Sequence, residues 1–232
     1  MPPLAPIPKI LERLESAYGS PDWHPRYGPV SELVYTILSQ NTSDKNSLPA
    51  FQRLREAFPK WESILEAPVS EIGEAIRSGG LWQVKAPRIK QILQQIWQLR
   101  SALELDFLKK MPLGVARDWL MTLPGVGPKT AACVLLFSMR LPALPVDTHV
   151  HRVSWRLGLI EKSVSREKSH EILESMVAEK DIYRFHVLFV QHGRQTCKAQ
   201  RPRCPECVVK GVCGYYQTAT RVGDAKESLI VT

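Results

Sequence analysis

Four cysteines lie within seventeen residues near the C-terminal end of the chain, and they restrict its fold more than any other feature. Cys197, Cys204, Cys207 and Cys213 are separated by six, two and five residues. Thiolates are soft ligands that select zinc or iron–sulfur clusters, and four of them complete a coordination sphere. The spacing therefore predicts one closed metal centre that stabilises the surrounding loops. By itself it favours neither metal.

Basic residues surround these cysteines. Lys198, Arg201, Arg203 and Lys210 lie in or beside the loops between the ligands. The whole chain has 31 lysines and arginines against 23 acidic residues, which gives a net charge of +8 and a pI near 9.3. Such a balance favours a polyanionic partner, although nucleic-acid, ribosomal and membrane-surface proteins all share it.

The cysteine count and the apolar pattern indicate the compartment. Five cysteines are an odd number, no signal-like start is visible, and no apolar stretch approaches the length of a membrane span. We expect a protein of a reducing compartment, the cytoplasm, associated with the nucleoid if the source is prokaryotic, and no membrane partner. The fifth cysteine, Cys133, lies in an apolar run and is interpreted as a small core residue without a role.

Apolar residues recur with helical spacing along most of the chain, and convincing strands are absent. The i, i+3, i+4, i+7, i+8 pattern of one helical face is followed by Val30, Leu33, Val34, Ile37 and Leu38. A similar apolar face, formed by Ile89, Ile92, Leu93 and Ile96, follows Pro87. The fold class predicted from these patterns is all-α.

Capping residues predict where some of the helices begin and end. Ser70 is predicted to be the N-cap of a helix near residues 70–78. Asp181 as an N-cap and Gly193 as a C-terminal stop predict another helix over 181–192.

A glycine-containing turn between two helix-compatible segments is the second motif. The segment Leu123–Ala131 reads LPGVGPKTA, with Gly125 and Gly127 between the helices. Glycines allow positive φ and close approach of a phosphate, and the next helix directs its N–H groups and positive dipole end at the same place. We therefore predict a helix-hairpin-helix over about 113–139 that contacts a DNA backbone through both glycines and Thr130.

Lys129 and Asp147 are the residues that would turn DNA binding into catalysis. Lys129 falls in the first turn of the second hairpin helix, where the dipole and partial burial both disfavour its ammonium form. It is either a nucleophile or a phosphate-binding lysine, and the residues alone favour neither. Asp147 precedes an apolar-periodic helix and is predicted to be its N-cap. A capping carboxylate can also present its second oxygen to a substrate.

These motifs together resemble endonuclease III, a family of DNA glycosylases with lyase activity. The resemblance rests on the hairpin Leu123–Lys129, on the segment Val146–His149 and on the cysteine loop 197–213, and it covers roughly residues 30–213. It implies a 4Fe–4S cluster on the four cysteines, with zinc as the alternative.

The resemblance also implies roles for single residues. Lys129 would attack the deoxyribose C1′, Asp147 would assist, and Leu81 would fill the space left by the extruded nucleotide. Gln40 or Asn41 would probe the orphaned base. Further DNA contacts are expected at His149, Lys198, Arg201 and Arg203.

Two residues depart from the family pattern. Asn41 stands where endonuclease III typically has a glutamine, so substrate preference is open. Pro128 stands where a basic residue is common, so one phosphate contact is absent.

The family's architecture is two helical domains flanking a DNA-binding cleft. The resemblance assigns residues 30–141 to a six-helix barrel that contains the hairpin. Residues 1–29 and 142–232 are assigned to an iron–sulfur cluster domain.

The sequence thus predicts a base-excision repair DNA glycosylase with AP lyase activity, which acts by β-elimination. Its partner would be double-stranded DNA that contains a damaged base, by default an oxidised pyrimidine, or an abasic site, and it would act as a monomer. One alternative is a different specificity, for thymine or uracil opposite guanine, 5-methylcytosine or an alkylated base. Another is a non-catalytic DNA-binding or redox-sensing module.

Overall fold

The computed structural model describes residues 5–218, and this part of the chain contains helices, 3₁₀ turns and loops but no strand. The all-α prediction is confirmed. The chain forms two compact units, one of residues 24–143 and one in which residues 5–23 join residues 144–218. Residues 1–4 and 219–232, which were assigned to the cluster domain, lie outside the described residues. No helix in 5–218 is long and apolar enough to cross a bilayer.

The helices follow one another with short connections. In chain order they are α1 (Ile7–Tyr18), α2 (Pro29–Ser39), α3 (Asp44–Ala57), α4 (Ser63–Glu66), α5 (Val69–Ile76), α6 (Trp82–Arg100), α7 (Leu113–Met121), α8 (Pro128–Met139), α9 (Thr148–Leu157), α10 (Arg166–Met176) and α11 (Ile182–Gln195). The 3₁₀ turns are Arg77–Gly79, Asp106–Lys110, Glu179–Asp181, Cys204–Glu206 and Lys210–Val212.

The core of the unit 24–143 is organised around α2 and α8, which pack against each other. The predicted apolar face of α2 is buried, including Leu33 and Ile37, and so are Tyr35 and Thr36 on its other sides. A helix that is buried all round is typical of the centre of a domain. Each fully buried leucine or isoleucine stabilises the fold by about 1.5–3 kcal/mol. These two helices therefore form the rigid part of the unit.

The other unit is built on α11, which packs against α1 and α9. Phe185 and Phe189 of α11 are fully buried and stack with ring centroids 3.8 Å apart. The N-terminal helix α1 contributes Leu11 and Leu14, which are also fully buried. The segment before Trp23 is therefore part of this core.

One predicted helix start is wrong. Helix α5 begins at Val69 behind Pro68, so Ser70 lies inside it and is not its N-cap. Helix α6 begins at Trp82 and runs through Pro87, so it includes the apolar face that was predicted after this proline.

The predicted C-terminal stop at Gly193 is also wrong, because α11 continues through it to Gln195. Asp181 does occupy the N-cap position, although its side chain makes no capping hydrogen bond. The reason for glycine at 193 is packing: a Cβ there would lie 2.8 Å from the Cβ of His149. Gly193 lets α11 approach α9 closely.

We expect Gly193→Ala to lower the free energy of unfolding by about 1–3 kcal/mol, the usual cost of overpacking a core. Gly114→Ala is the matched control, because a Cβ at Gly114 in α7 meets nothing within 4 Å. Alanine favours a helix over glycine, so the control should be neutral or slightly stabilising. Thermal unfolding of both variants checks the prediction. Equal melting temperatures would contradict it.

Candidate functional site

The predicted helix-hairpin-helix is present between α7 and α8. Gly125 has φ +74, in the left-handed region, and a Cβ there would lie 2.5 Å from Nε of Arg88. Glycine is required for both reasons. Gly127 precedes α8 and Pro128 is its first residue, where the missing N–H has no cost. The N–H groups of the first helical turn have no acceptor within the helix and are suited to a phosphate.

Gln40 connects the end of α2 to this hairpin. Its Nε2 donates to the carbonyl of Gly125 and to Oγ1 of Thr130, both at 3.1 Å, and its Oε1 accepts from Arg88 at 3.3 Å. Thr130 is only 4% exposed. A phosphate contact at Thr130 would therefore use its backbone N–H. The expected role of Gln40 as a probe of the orphaned base stays a prediction.

Lys129 lies half-buried in the first turn of α8, and Cys133 lies one turn later on the same helix. Burial raises the pKa of the Cys133 thiol, while the charge of Lys129 and its hydrogen bond to the thiol act in the opposite direction. The structure thus brings a buried thiol to the predicted nucleophile. The sequence interpretation gave Cys133 no role, although the i, i+4 spacing from Lys129 indicates this contact.

An ion pair with a buried glutamate lies close to the same thiol. Glu32 of α2 has no exposed surface and pairs with Arg26, whose guanidinium also lies over the rings of Tyr35 and Phe137. Both charges act on the Cys133 thiol. Sequence reasoning missed this pair. The available indication was one glutamate within the apolar run of α2.

Asn41 and Leu81, the two residues predicted to enter the duplex, share an unusual backbone conformation. Their φ angles are +52 and +53, and both side chains are exposed, Leu81 by 52%. The left-handed region costs leucine about 1–2 kcal/mol, whereas asparagine adopts it more readily. An exposed leucine held in such a conformation on a loop suggests a function outside the core.

Asp147 caps α9, as predicted. Its Oδ1 accepts hydrogen bonds from the backbone N–H groups of His149 at 2.9 Å and Val150 at 2.8 Å. Both hydrogen bonds end on Oδ1, so capping requires only one of the two carboxylate oxygens. The cap fixes the position of the carboxylate at the start of α9.

His149 and Arg152 connect α9 to α11 and to the cysteine loop. Arg152 donates to the carbonyls of Gly193 and Cys197, each at 2.9 Å, and its Nη2 lies 3.1 Å from Nδ1 of His149. Burial lowers the pKa of His149, and the charges of Arg152 and Arg194 lower it further. A neutral His149 ring therefore accepts a hydrogen bond from Arg152.

The four predicted metal ligands line one pocket. Cys197, Cys204, Cys207 and Cys213 face it together with Arg156 and His192. Burial raises the pKa of Cys204 and Cys213 and raises that of Cys207 to about 11. Thiols with such pKa values are protonated at neutral pH, and thiolates form there when a metal supplies positive charge.

Two nitrogens lie close to these sulfurs. Nη1 of Arg156 donates to Sγ of Cys197 at 3.3 Å, and Nε2 of His192 lies 3.7 Å from Sγ of Cys207, where the tautomer of the ring decides which atom donates. Hydrogen bonds of this kind suit thiolates that hold a metal. The basic residues predicted to contact DNA around this pocket, Lys198, Arg201 and Arg203, are all exposed.

Comparison with known proteins identifies the family to which the hairpin and the cysteine loop point. Residues 34–179 match the family model of the HhH-GPD superfamily base excision DNA repair protein. Endonuclease III of Sulfolobus acidocaldarius is 37% identical over 186 residues, which are 79% of this chain and 81% of that protein.

Two solved structures are also similar. A non-covalent endonuclease III–DNA complex superposes with a TM-score of 0.79 at 31% identity and covers 93% of this chain and 97% of its own. A trapped endonuclease III–DNA covalent intermediate gives a TM-score of 0.79 at 30% identity, with 92% and 97% covered.

The chain therefore belongs to the HhH-GPD superfamily of base excision DNA repair proteins, and within it to the endonuclease III family. The predicted class of enzyme, a DNA glycosylase with AP lyase activity, is confirmed. The roles predicted for single residues stay predictions.

The capping geometry at Asp147 gives a stability prediction. Asp147→Ala should lower the free energy of unfolding by about 1 kcal/mol, because two backbone N–H groups lose their acceptor. Asp147→Asn should lower it by only a few tenths, because asparagine caps about as well as aspartate. Ser165→Ala is the control for the loss of a helix cap that has no proposed catalytic role, since Ser165 Oγ accepts from the Lys168 N–H at the start of α10. Denaturant unfolding measures all three, and an asparagine variant as unstable as the alanine variant would refute the capping role.

Proposed function

We propose that this chain excises damaged bases from duplex DNA and then cleaves the abasic strand, with Lys129 as the nucleophile and Asp147 as the assisting carboxylate. The observation that carries the proposal is the position of Lys129. It lies half-buried in the first turn of the helix that follows the hairpin, beside a phosphate-binding turn and against the Cys133 thiol. A lysine that only bound phosphate would not need a contact with the buried Cys133 thiol.

The chemistry requires Lys129 as a neutral amine. Its nitrogen attacks C1′ of the deoxyribose, the bond from C1′ to the base breaks, and the base leaves with a proton. The bond from C1′ to the ring oxygen O4′ then breaks and O4′ takes up a proton, which gives a protonated Schiff base and makes the C2′ proton acidic. Loss of that proton breaks the bond from C3′ to its phosphate oxygen, which is the β-elimination step.

Asp147 would stabilise the positive charge that develops on the sugar as the base departs. A carboxylate held in place before the reaction stabilises such charge without reorganisation. Capping of α9 provides that fixed position, because it binds Oδ1 in two hydrogen bonds. The two roles of Asp147, in stability and in catalysis, can then be separated by substitution.

The expected substrate is duplex DNA with an oxidised pyrimidine, which is the default implied by the family. Leu81 would fill the space left by the extruded nucleotide, and Asn41 would contact its former partner. We assign the barrel to residues 30–141 and the cluster domain to the remainder. The chain would act as a monomer in the cytoplasm, associated with the nucleoid if the source is prokaryotic.

The four cysteines would hold a 4Fe–4S cluster. They line one pocket, and the resemblance to endonuclease III favours the cluster over zinc. Each cysteine of such a cluster binds a different iron. When bound, the cluster would fix the loop that presents Lys198, Arg201 and Arg203.

Borohydride trapping tests the role of Lys129. Wild type should form a covalent adduct with abasic DNA and with duplexes that contain thymine glycol or dihydrouracil. Lys129→Gln should form none while still binding abasic DNA, and Lys109→Gln, at an exposed lysine paired with Asp106, should trap normally. Trapping by Lys129→Gln would refute the assignment. Wild-type trapping on abasic DNA alone would move the specificity to other bases, such as uracil or thymine opposite guanine.

Metal analysis tests the cluster. Purified protein should be yellow-brown, absorb broadly at about 400 nm and contain about four irons and four sulfides per chain. Cys207→Ser should lose most of this iron, whereas Cys133→Ser should keep it because Cys133 lies in the other unit. A colourless protein with stoichiometric zinc would reverse the choice of metal.

A further inference from the structure

Helix α6 carries a lysine in its second turn that is buried and belongs to none of the groups described above. Lys85 is 3% exposed, and burial lowers its pKa. Its Nζ donates to the carbonyl of Leu38 at 2.6 Å, to Oγ1 of Thr42 at 2.6 Å and to the carbonyl of Gly79 at 3.4 Å. An ammonium has three N–H groups, so the three acceptors account for all of them.

The acceptors explain why a cation is tolerated there. The Leu38 carbonyl belongs to the last turn of α2, and the Gly79 carbonyl ends the 3₁₀ turn Arg77–Gly79. The last carbonyls of a helix have no partner within it and carry partial negative charge. One ammonium therefore caps two helical ends that lie in different parts of the unit.

These bonds also connect two loops. The hydroxyl of Thr42 accepts from Lys85 and donates to the Gly79 carbonyl at 2.9 Å. Asn41 is the neighbour of Thr42, and Leu81 lies two residues after Gly79. Asn41 and Leu81, which are two of the exposed residues with left-handed backbones, are thus placed on either side of a single buried hydrogen-bond network.

We infer that Lys85 is a positioning residue for base extrusion, which holds the Asn41 loop and the Leu81 loop in one fixed arrangement so that both side chains enter the duplex together. The inference rests on the proposed function, in which these side chains fill the space around the extruded nucleotide. Lys85 itself touches neither DNA nor the reacting atoms. It acts through the backbone of the two loops.

The inference predicts a loss that depends on how difficult extrusion is. Extrusion costs most when the damaged base is paired and least when its partner is missing. Lys85→Met keeps the length of the side chain but removes all three donors. We expect it to slow excision of a paired lesion by about tenfold to hundredfold, the range that an ångström-scale misplacement costs.

The comparison uses two duplexes with the same lesion, one with the lesion opposite its normal base and one with the lesion opposite an abasic analogue. Lys85→Met should lose activity on the first and stay within about threefold of wild type on the second and in borohydride trapping of abasic DNA. Lys90→Met is the matched control. Lys90 lies on the same helix and donates to the carbonyl of Ala67 at 2.7 Å, away from both loops. Lys90→Met should leave the excision rate unchanged on both duplexes.

Two outcomes would overturn the inference. An equal loss on both duplexes would mean that Lys85 supports the fold in general, and unchanged activity on both would mean that the loops hold their positions without it. Lys85→Arg restores the donors and the charge. If positioning is the cause, it should recover part of the excision rate on the paired lesion.

A separate measurement keeps this test independent of the proposed chemistry. 2-Aminopurine paired with dihydrouracil brightens when it is unstacked, and wild type should produce this change on binding while Lys85→Met should not. If wild type neither excises nor traps, the proposed function fails, and the fluorescence comparison still decides the role of Lys85. Equal fluorescence for both proteins would reject it.

Discussion

The packing of α2 against α8 is the contact on which the rest of the unit 24–143 depends. Both helices are buried over most of their length, so their ends cannot shift without disturbing the core. Lys129 lies at the start of α8, and the loop with Gln40 and Asn41 follows the end of α2. A rigid pair of helices therefore sets the positions of the nucleophile and of one intruding loop at the same time. The chemistry needs such precision, since small displacements are costly.

Polar side chains refine this arrangement where apolar packing ends. Gln40 and Arg88 connect the loop after α2 to the hairpin, while Lys85 connects the same loop to the one before α6. Lys85 and Arg88 are three residues apart and lie on neighbouring positions of one helix. Buried polar groups are expensive when unpaired, which makes a satisfied network specific to one geometry. Helix α6 thus relates the hairpin and both loops to one another.

The sequence predicted what depends on neighbours in the chain. The hairpin follows from two local glycines, the cap at Asp147 from a carboxylate before an apolar periodic segment, and the burial of α2 from its spacing. It did not predict what depends on distant partners. The acceptors of Lys85 lie as far as 47 residues away, and the need for glycine at 193 arises from His149 on another helix. Periodicity shows which face is buried but not which residues it contacts, so it does not indicate that Lys85 is buried.

The left-handed conformations of Asn41 and Leu81 indicate why the loops need such support. The left-handed region costs a leucine about 1–2 kcal/mol and an asparagine less, so the Leu81 loop in particular would relax to another conformation without support. A hydrogen bond from a charged donor contributes about 1.5–3 kcal/mol, and Lys85 makes three, less the cost of burying its charge. These hydrogen bonds connect both loops to α6 and favour one arrangement of the loops before DNA arrives. A loop that is already ordered does not have to be ordered by binding, and the binding free energy can instead be used to extrude a base.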